Sequence, residues 1–364
     1  MSRLALPSIE CVPGGRAFAS LSRRVRTLAV AGILFVVLFV LALTMPVPYV
    51  VLSPGPTYNT LGTDDNGNTI VVIDGRKPSH TSGHLNLTTV SISSTSLTPF
   101  QAIAAWLNSD EVVVPKASIY PPGTSEQKTN EQNTQDFLSS QDSATAAALC
   151  ELHYPKGFGV LKVNADGPSH GVLQPGDFLR TVDGKPAGSV DALSTALATE
   201  SPGKTVPLTI TRDAKPAELD VKLGPPLKKK KNGARLGIVV ANGCLAPFTI
   251  DLGLGNQIGG PSAGLMFALG IMDKVGTVDL TKGRFIAGTG TIDSAGKVGA
   301  IGGIQLKMIA AKNKGASVFL APAGNCGDVR KATPHGLKVI KVSTLHSAVQ
   351  SLLDLQEGKP VVGC

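Results

Sequence analysis

Gly259-Gly260-Pro261-Ser262-Ala263-Gly264, continued by the apolar run Leu265-Met266-Phe267-Ala268-Leu269, and further on Ile301-Gly302-Gly303-Ile304-Gln305-Leu306-Lys307-Met308-Ile309-Ala310-Ala311, are the segments on whose reading the rest of the chain turns. A serine hydroxyl is a poor nucleophile at neutral pH and must give up its proton to a nearby base as it attacks. Lysine serves as that base where burial disfavours its ammonium form and leaves a neutral amine. Lys307 lies among Ile304, Leu306, Met308 and Ile309, in a segment of helix-forming composition that starts after Gly302-Gly303 and runs to about Lys314-Gly315. Ser262 stands in a turn whose glycines bring backbone close to a bound substrate, and the apolar run behind it predicts a buried helix. Amides at a helix N-terminus point toward negative charge, so those around Gly260 and Ser262 are expected to face an oxyanion. Ser262 is thus the candidate nucleophile and Lys307 the candidate general base.

Each feature alone has a plainer reading. A serine before an apolar run is often a helix N-cap, and a lysine on an apolar helix often snorkels to the surface. Gly260-Pro261-Ser262-Ala263-Gly264 also fits the G-x-S-x-G elbow of α/β-hydrolases. That fold needs several strands ahead of the elbow and an Asp and a His behind it, and only His335 and His346 stand downstream. It is the coincidence of the serine turn with the lysine helix that favours catalysis.

These residues resemble the proteolytic domain of the Lon proteases, which carries a G-P-S-A-G nucleophile turn and, downstream, a Gly-Gly turn leading into a helix that bears the base. The resemblance runs from about Leu236 to Leu353 and implies an α+β domain with Ser262 as nucleophile and Lys307 as base. It also implies a supporting threonine thirteen residues ahead of Gly302, which is Thr289 in Ala287-Gly288-Thr289-Gly290-Thr291-Ile292. Assembly into a homo-oligomeric ring follows from the same resemblance. One departure is clear: the chain has no G-x(4)-G-K-[ST] motif, since Gly296-Lys297 has Thr291 in place of the first glycine and Val298 in place of Ser or Thr. ATP and a motor domain are therefore not expected, and substrates should be loops, tails or flexible proteins.

The 364 residues leave room for two or three domains and an anchor. The charge of +8 and pI near 9.2 suit nucleic acid, anionic lipid or an anionic cell wall. No nucleic-acid motif or aromatic interleaving accompanies the charge, so an envelope location is expected without a nucleic-acid partner. Residues 1–26 read as a cytoplasmic tail holding Arg16, Arg23, Arg24 and Arg26, and residues 27–45 as a single transmembrane helix. The arginines should stay inside, placing the rest outside the cytoplasm. A cleaved signal peptide is the competing reading, and the run lacks a clean A-x-A site. Met45-Pro46-Val47-Pro48 should end the helix.

Residues 46–144 read coarsely as an extracytoplasmic region with strands at Thr69–Ile73 and Leu85–Ile92, a helix at Pro99–Leu107, and a polar stretch from Thr124 to Asp142 that is a loop or a solvated helix. Ser53-Pro54-Gly55-Pro56-Thr57-Tyr58, the strand from Gly83 to Ser91 and Tyr120-Pro121-Pro122-Gly123 resemble membrane-anchored PDZ-Lon proteins of Gram-positive bacteria, the YlbL type, as found in actinobacteria. Residues 145–224 resemble a PDZ domain, a β-rich sandwich or barrel with two helices: Gly157-Phe158-Gly159-Val160, Leu173-Gln174-Pro175-Gly176-Asp177, Asp183-Gly184, a helix at Val190–Thr199 and a strand at Val206–Arg212. In that reading Gly157, Phe158, Gly159 and Val160 form an edge strand to which a peptide adds by β-augmentation. Residues 225–235, with Lys228-Lys229-Lys230-Lys231, read as a basic linker, and residues 236–356 as the proteolytic domain. Its expected strands are Leu236–Ala241, Phe248–Asp251, Phe285–Ile292, Ala316–Ala321 and His335–Val342, with a closing helix at Leu345–Leu355.

No cofactor is expected, and six scattered histidines without H-E-x-x-H give no zinc site. Cys11 falls in the tail, leaving Cys150, Cys244, Cys326 and Cys364, which allow three full pairings. A bridge between Cys244 and Cys326 is expected because both lie in the proteolytic domain, with free buried thiols the alternative. The sequence thus predicts a membrane-anchored serine endopeptidase acting on peptide or protein substrates. The rival readings are a PDZ scaffold with an inactive or latent protease domain, and an esterase-like hydrolase using the same serine.

Overall fold

The computed structural model describes residues 22–64, 66–93, 97–226, 233–254 and 258–364. Cys11, Arg16 and the run from Lys228 to Lys231 lie outside them. In chain order the elements are α1 (Arg23–Thr44), β1 (Tyr49–Asn59), β2 (Val71–Asp74), β3 (His84–Ile92), α2 (Pro99–Leu107), β4 (Val112–Pro115), α3 (Lys116–Ile119) and α4 (Glu126–Glu151). There follow β5 (Lys156–Val163), β6 (Phe178–Val182), β7 (Lys185–Pro186), α5 (Val190–Ala198), β8 (Thr205–Arg212), β9 (Lys215–Lys222), β10 (Ile238–Cys244) and β11 (Thr249–Leu252). The C-terminal part holds α6 (Gly264–Val275), β12 (Phe285–Gly288), β13 (Thr291–Ile292), β14 (Val298–Gly299), α7 (Ile304–Asn313), β15 (Val318–Pro322), α8 (Cys326–Ala332), β16 (Lys338–Val342) and α9 (Leu345–Gln356). The chain divides into two compact units, one formed by residues up to Val51 together with Ser93–Ile119, the other by Leu52–Ile92 and Tyr120–Cys364.

The first unit carries α1, whose 22 residues are long and apolar enough to cross a membrane and of which none is buried. Val47 bridges to Leu97, and the Lys116 amide donates to the Pro48 carbonyl, so α2, β4 and α3 are tied to the chain just beyond α1.

Among the described residues, the second unit holds two large sheets and the two-stranded pairs β2–β11 and β13–β14. In the first, strands run in the order β16, β15, β12, β3, β1. β16, β15, β12 and β3 are mutually parallel and β1 pairs antiparallel with β3. Because successive strand residues point to opposite faces, Ile286, Val318 and Leu320 pack on one side with the α6 residues Leu265, Met266 and Leu269. Ala287, Phe319 and Ala321 pack on the other with Ile304 and Met308 of α7. α6 and α7 therefore cover opposite faces of one sheet. β3 sits between them as a central strand, with Leu85, Asn86, Leu87 and Thr88 all buried.

Three expectations are corrected here. The polar stretch from Thr124 to Asp142 is neither loop nor fully solvated: it forms most of α4, a 26-residue helix capped by Ser125, which accepts from the Lys128 amide. Phe137, Ser140, Ala144, Ala147 and Ala148 recur at helical spacing and are buried, with the Phe137 ring edge-on to Phe267 of α6 at 5.8 Å. Second, the strand expected to lead into the proteolytic domain at 236–241 belongs elsewhere. β10 pairs antiparallel with β5, giving the second sheet the order β10, β5, β6, β8, β9. Third, Cys244 bonds to Cys150 at the end of α4, and Cys326 to Cys364. β10 carries Cys244 to within 5.1 Å (Cα to Cα) of Cys150, which excludes the expected bridge to Cys326.

Candidate active site

α6 begins at Gly264, and Ser262 sits in the turn just ahead of it. α7 starts after Gly302-Gly303 and brings the Lys307 Nζ to 2.7 Å from the Ser262 Oγ. The two side chains, forty-five positions apart in sequence, meet at the carboxyl end of β12, the end of parallel strands where ligand sites of open α/β sheets gather. Lys307 is 4 % exposed. Burial pushes its amine from the usual lysine range down to about 8, because a low-dielectric surrounding penalises the ammonium form.

Thr289 follows the last residue of β12 and is fully buried. Its hydroxyl donates to the Ser262 carbonyl at 3.0 Å and accepts from the Lys307 amine at 3.1 Å. With its one proton committed to that carbonyl, the hydroxyl can only accept from the lysine. One N–H of the amine is committed in this way, and the position facing Ser262 is left to a second N–H of the amine or, in its neutral form, to the lone pair. The Gly290 amide also donates to the Ser262 carbonyl, at 2.9 Å, and the Leu265 amide to the Gly290 carbonyl, at 3.1 Å. The bend after β12 thus grips the turn around Ser262 from one side.

α4 grips it from the other. Ser140 Oγ donates to the Pro261 carbonyl at 2.9 Å, and the Gly260 amide donates to the Asn133 carbonyl at 2.8 Å. This last bond corrects the expectation for Gly260. Its amide is engaged within the protein instead of facing the space beside Ser262, and the residue's φ of +82° shows a conformational role in the turn. Sequence reading missed α4 altogether as a part of the site. A Ser and an Ala run at helical spacing with Phe137 was the available signal, masked by the surrounding Gln and Asn.

The residues Gly157, Phe158, Gly159 and Val160 are not brought to this site and do not form an open groove edge. β10 pairs with all four of them along one side of β5, Gly157↔Gly243 through Val160↔Val240. On the other side Gly159 pairs with Phe178, and the Val160 amide donates to the Asp177 carbonyl. An incoming strand finds both edges of this stretch taken. The turn Leu173-Gln174-Pro175-Gly176-Asp177 is held instead by Arg212 of β8, which donates to both Asp177 carboxylate oxygens at 2.7 Å and to the Val172 carbonyl at 2.9 Å.

Residues 130–223 match the family model of the PDZ domain, and residues 257–355 that of the Lon protease (S16) C-terminal proteolytic domain. The two domains together fit a PDZ-Lon protein. The Lon protease of Neorickettsia sennetsu is 32% identical over 93 residues, which are 25% of this chain and 11% of that protein. The chain thus spans about a tenth of the length of that curated relative. Among solved structures, the PDZ domain of the SdrC-like protein from Listeria monocytogenes is 26% identical and covers 24% of this chain and 90% of its own, with a TM-score of 0.22. The corresponding domain from Listeria innocua is 28% identical over 24% of this chain and 94% of its own, also with a TM-score of 0.22. The PDZ-Lon chain spends more residues on its proteolytic unit than the matched range covers. β1, β2 and β3 come from before the PDZ domain and complete the sheets of residues after it, through β3 with β12 and β2 with β11. The PDZ domain is therefore an insertion in the proteolytic unit. The match begins at residue 130, inside α4, and the expected boundary at 145 also falls within that helix.

Proposed function

We propose that this PDZ-Lon protein is a serine endopeptidase in which Ser262 and Lys307 form the catalytic dyad. The observation that carries the reading is the 2.7 Å approach of a buried lysine amine to the serine hydroxyl, beneath the sequence signature of a Lon proteolytic domain. The neutral Lys307 amine takes the Ser262 proton as Oγ attacks the scissile carbonyl. The resulting ammonium passes that proton to the leaving amine as the peptide C–N bond breaks and an acyl ester remains on Ser262. A water then gives one proton to Lys307 and its oxygen to the acyl carbon, and the ammonium returns the proton to Ser262 Oγ as the acid departs. Thr289 acts as a positioning residue for the amine. With the Gly260 amide engaged by Asn133, the Ser262 amide is the proposed donor to the oxyanion.

The proposed reaction needs no ATP, since the chain lacks the phosphate-binding motif. Substrates are then peptides or already flexible proteins, and the PDZ domain assists or regulates their capture through a surface other than the covered edge of β5. α1 is proposed as a single-pass anchor with Arg23, Arg24 and Arg26 on the cytoplasmic side. Both disulfides agree with an oxidising, extracytoplasmic location of the remainder. A homo-oligomeric ring and an origin in Gram-positive bacteria remain part of this proposal, on resemblance alone. Cleavage of a broad peptide library by the full chain in detergent, without ATP, beside Ser262→Ala and Lys307→Ala, tests it. Turnover by wild type that both substitutions abolish supports the dyad. An inert wild type that folds and is correctly disulfide-bonded favours the scaffold reading instead.

A further inference from the structure

The nine residues of α2, Pro99-Phe100-Gln101-Ala102-Ile103-Ala104-Ala105-Trp106-Leu107, contain no charge. The helix start is firmly set: Thr98 Oγ1 accepts from the Gln101 amide, the Gln101 side chain accepts from the Thr98 amide, and proline occupies the first turn. Ala105 marks the buried side. The large side chains lie elsewhere, with Phe100 56 %, Ile103 58 %, Trp106 74 % and Leu107 72 % exposed. At 100° per residue these four occupy an arc of roughly 120°. A short helix that buries alanine and presents Phe, Ile, Trp and Leu to its surroundings has a surface made for an apolar partner.

The position of α2 in its unit names that partner. Val47 donates its amide to the Leu97 carbonyl at 2.8 Å, so the residue just ahead of the Thr98 cap is tied to a point three positions beyond Thr44, the last residue of α1. α2 also packs directly against α1. A 22-residue helix rises about 33 Å, close to the ~30 Å hydrocarbon thickness of a bilayer. Thr44 then emerges at the lipid surface, and Val47 stands at most about 10 Å further along the chain. The apolar stripe of α2 is held at the depth of the headgroups, where amphipathic helices lie in plane and tryptophan is enriched.

We propose that α2 lies on the outer leaflet, with Phe100, Ile103, Trp106 and Leu107 inserted at the boundary between headgroups and acyl chains, as a second membrane contact beside the α1 span. The inference rests on the proposed anchoring by α1 and is independent of the proposed catalysis. A single span leaves its tilt open to adjustment, whereas a span joined to an in-plane helix has a fixed tilt and rotation.

Trp106 is the only tryptophan in the chain, so the intrinsic fluorescence of the intact protein reports this one face. The full chain is reconstituted in phosphatidylcholine–phosphatidylglycerol vesicles containing lipids brominated at shallow or at deep acyl positions. The expected result is a blue-shifted emission, stronger quenching by shallow than by deep bromines, and protection from acrylamide. In Phe100→Glu/Ile103→Glu the bromine quenching should be lost and the emission shift to the red, while the chain still resists alkaline extraction through α1. A wild-type chain that resists extraction yet shows Trp106 unquenched by bromine and open to acrylamide would overturn the proposal and leave the anchor standing. Shielding from acrylamide without bromine quenching would assign the face to a protein partner, and release by alkali would remove the anchor and this proposal together.

Discussion

Lys307 faces two demands that its surroundings meet separately. Burial lowers the amine to about 8 and so enlarges its neutral fraction, and the Thr289 hydroxyl accepts one of its N–H groups beside Ser262. Thr289→Val removes the acceptor for the amine and a donor to the Ser262 carbonyl while keeping the shape. A lost buried hydrogen bond of this kind costs on the order of 1–3 kcal/mol of stability, so the Tm should fall by a few degrees, kcat should fall about 10–100-fold if positioning of the amine is worth about 1.4–2.8 kcal/mol in the barrier, and Thr289→Ser should recover most of both. Steady-state kinetics on both variants checks this. That Ser262 and Lys307 would meet was legible in the two short motifs that hold them, and Thr289 came from the resemblance to the Lon domain; the three side chains do meet. The engagement of the Gly260 amide was not legible, since its partner is a backbone carbonyl and any residue type supplies one.

Helices and strands set the limits within which those residues act. α4 holds the nucleophile turn through Asn133 and Ser140, and α6 approaches α4 so closely that a Cβ on Gly264 would lie 2.7 Å from Ser140 Oγ and 2.8 Å from Ile292 Cγ2. Gly264→Ala should therefore destabilise the protein by ~1–3 kcal/mol through overpacking, read as a lowered Tm, and should weaken activity by displacing Ser262. In the PDZ sheet, pairing of β10 with β5 predicts slow hydrogen exchange at residues 157–160 with no peptide present, and fast exchange there would show an open edge. Regular elements with a strong period, such as α2, α6 and β8, were legible from sequence. The polar outer face of α4 left a loop and a solvated helix equally open and hid its buried side, and the strand at β10 was legible while its partner was not, because strand pairing at long range leaves no local trace in the residues that pair.

At the scale of the molecule, the PDZ domain interrupts the proteolytic unit, and the Cys150–Cys244 bond ties the end of α4 to the strand that leaves the PDZ sheet. That bond closes 94 residues and the Cys326–Cys364 bond 38, and loops of these lengths are worth about 4.7 and about 3.9 kcal/mol by chain entropy. Reduction with dithiothreitol should lower the Tm markedly, and a Tm unchanged by reduction would show that the bonds carry no stability. The presence of both domains was legible in their motifs. The contribution of β2 and β3 was not, because strands at 71–92 carry no mark of the partners they find beyond residue 248. The dyad itself is tested most directly by reacting the full chain with a fluorophosphonate and following intact mass across pH. Since burial lowers the amine to about 8, its neutral, proton-accepting form grows as pH rises toward that value and saturates above it. A single adduct on Ser262, forming at a rate that climbs with pH, levels off above about 8 and collapses in Lys307→Met, is the predicted result; labelling at another serine, or a rate indifferent to Lys307, would contradict it.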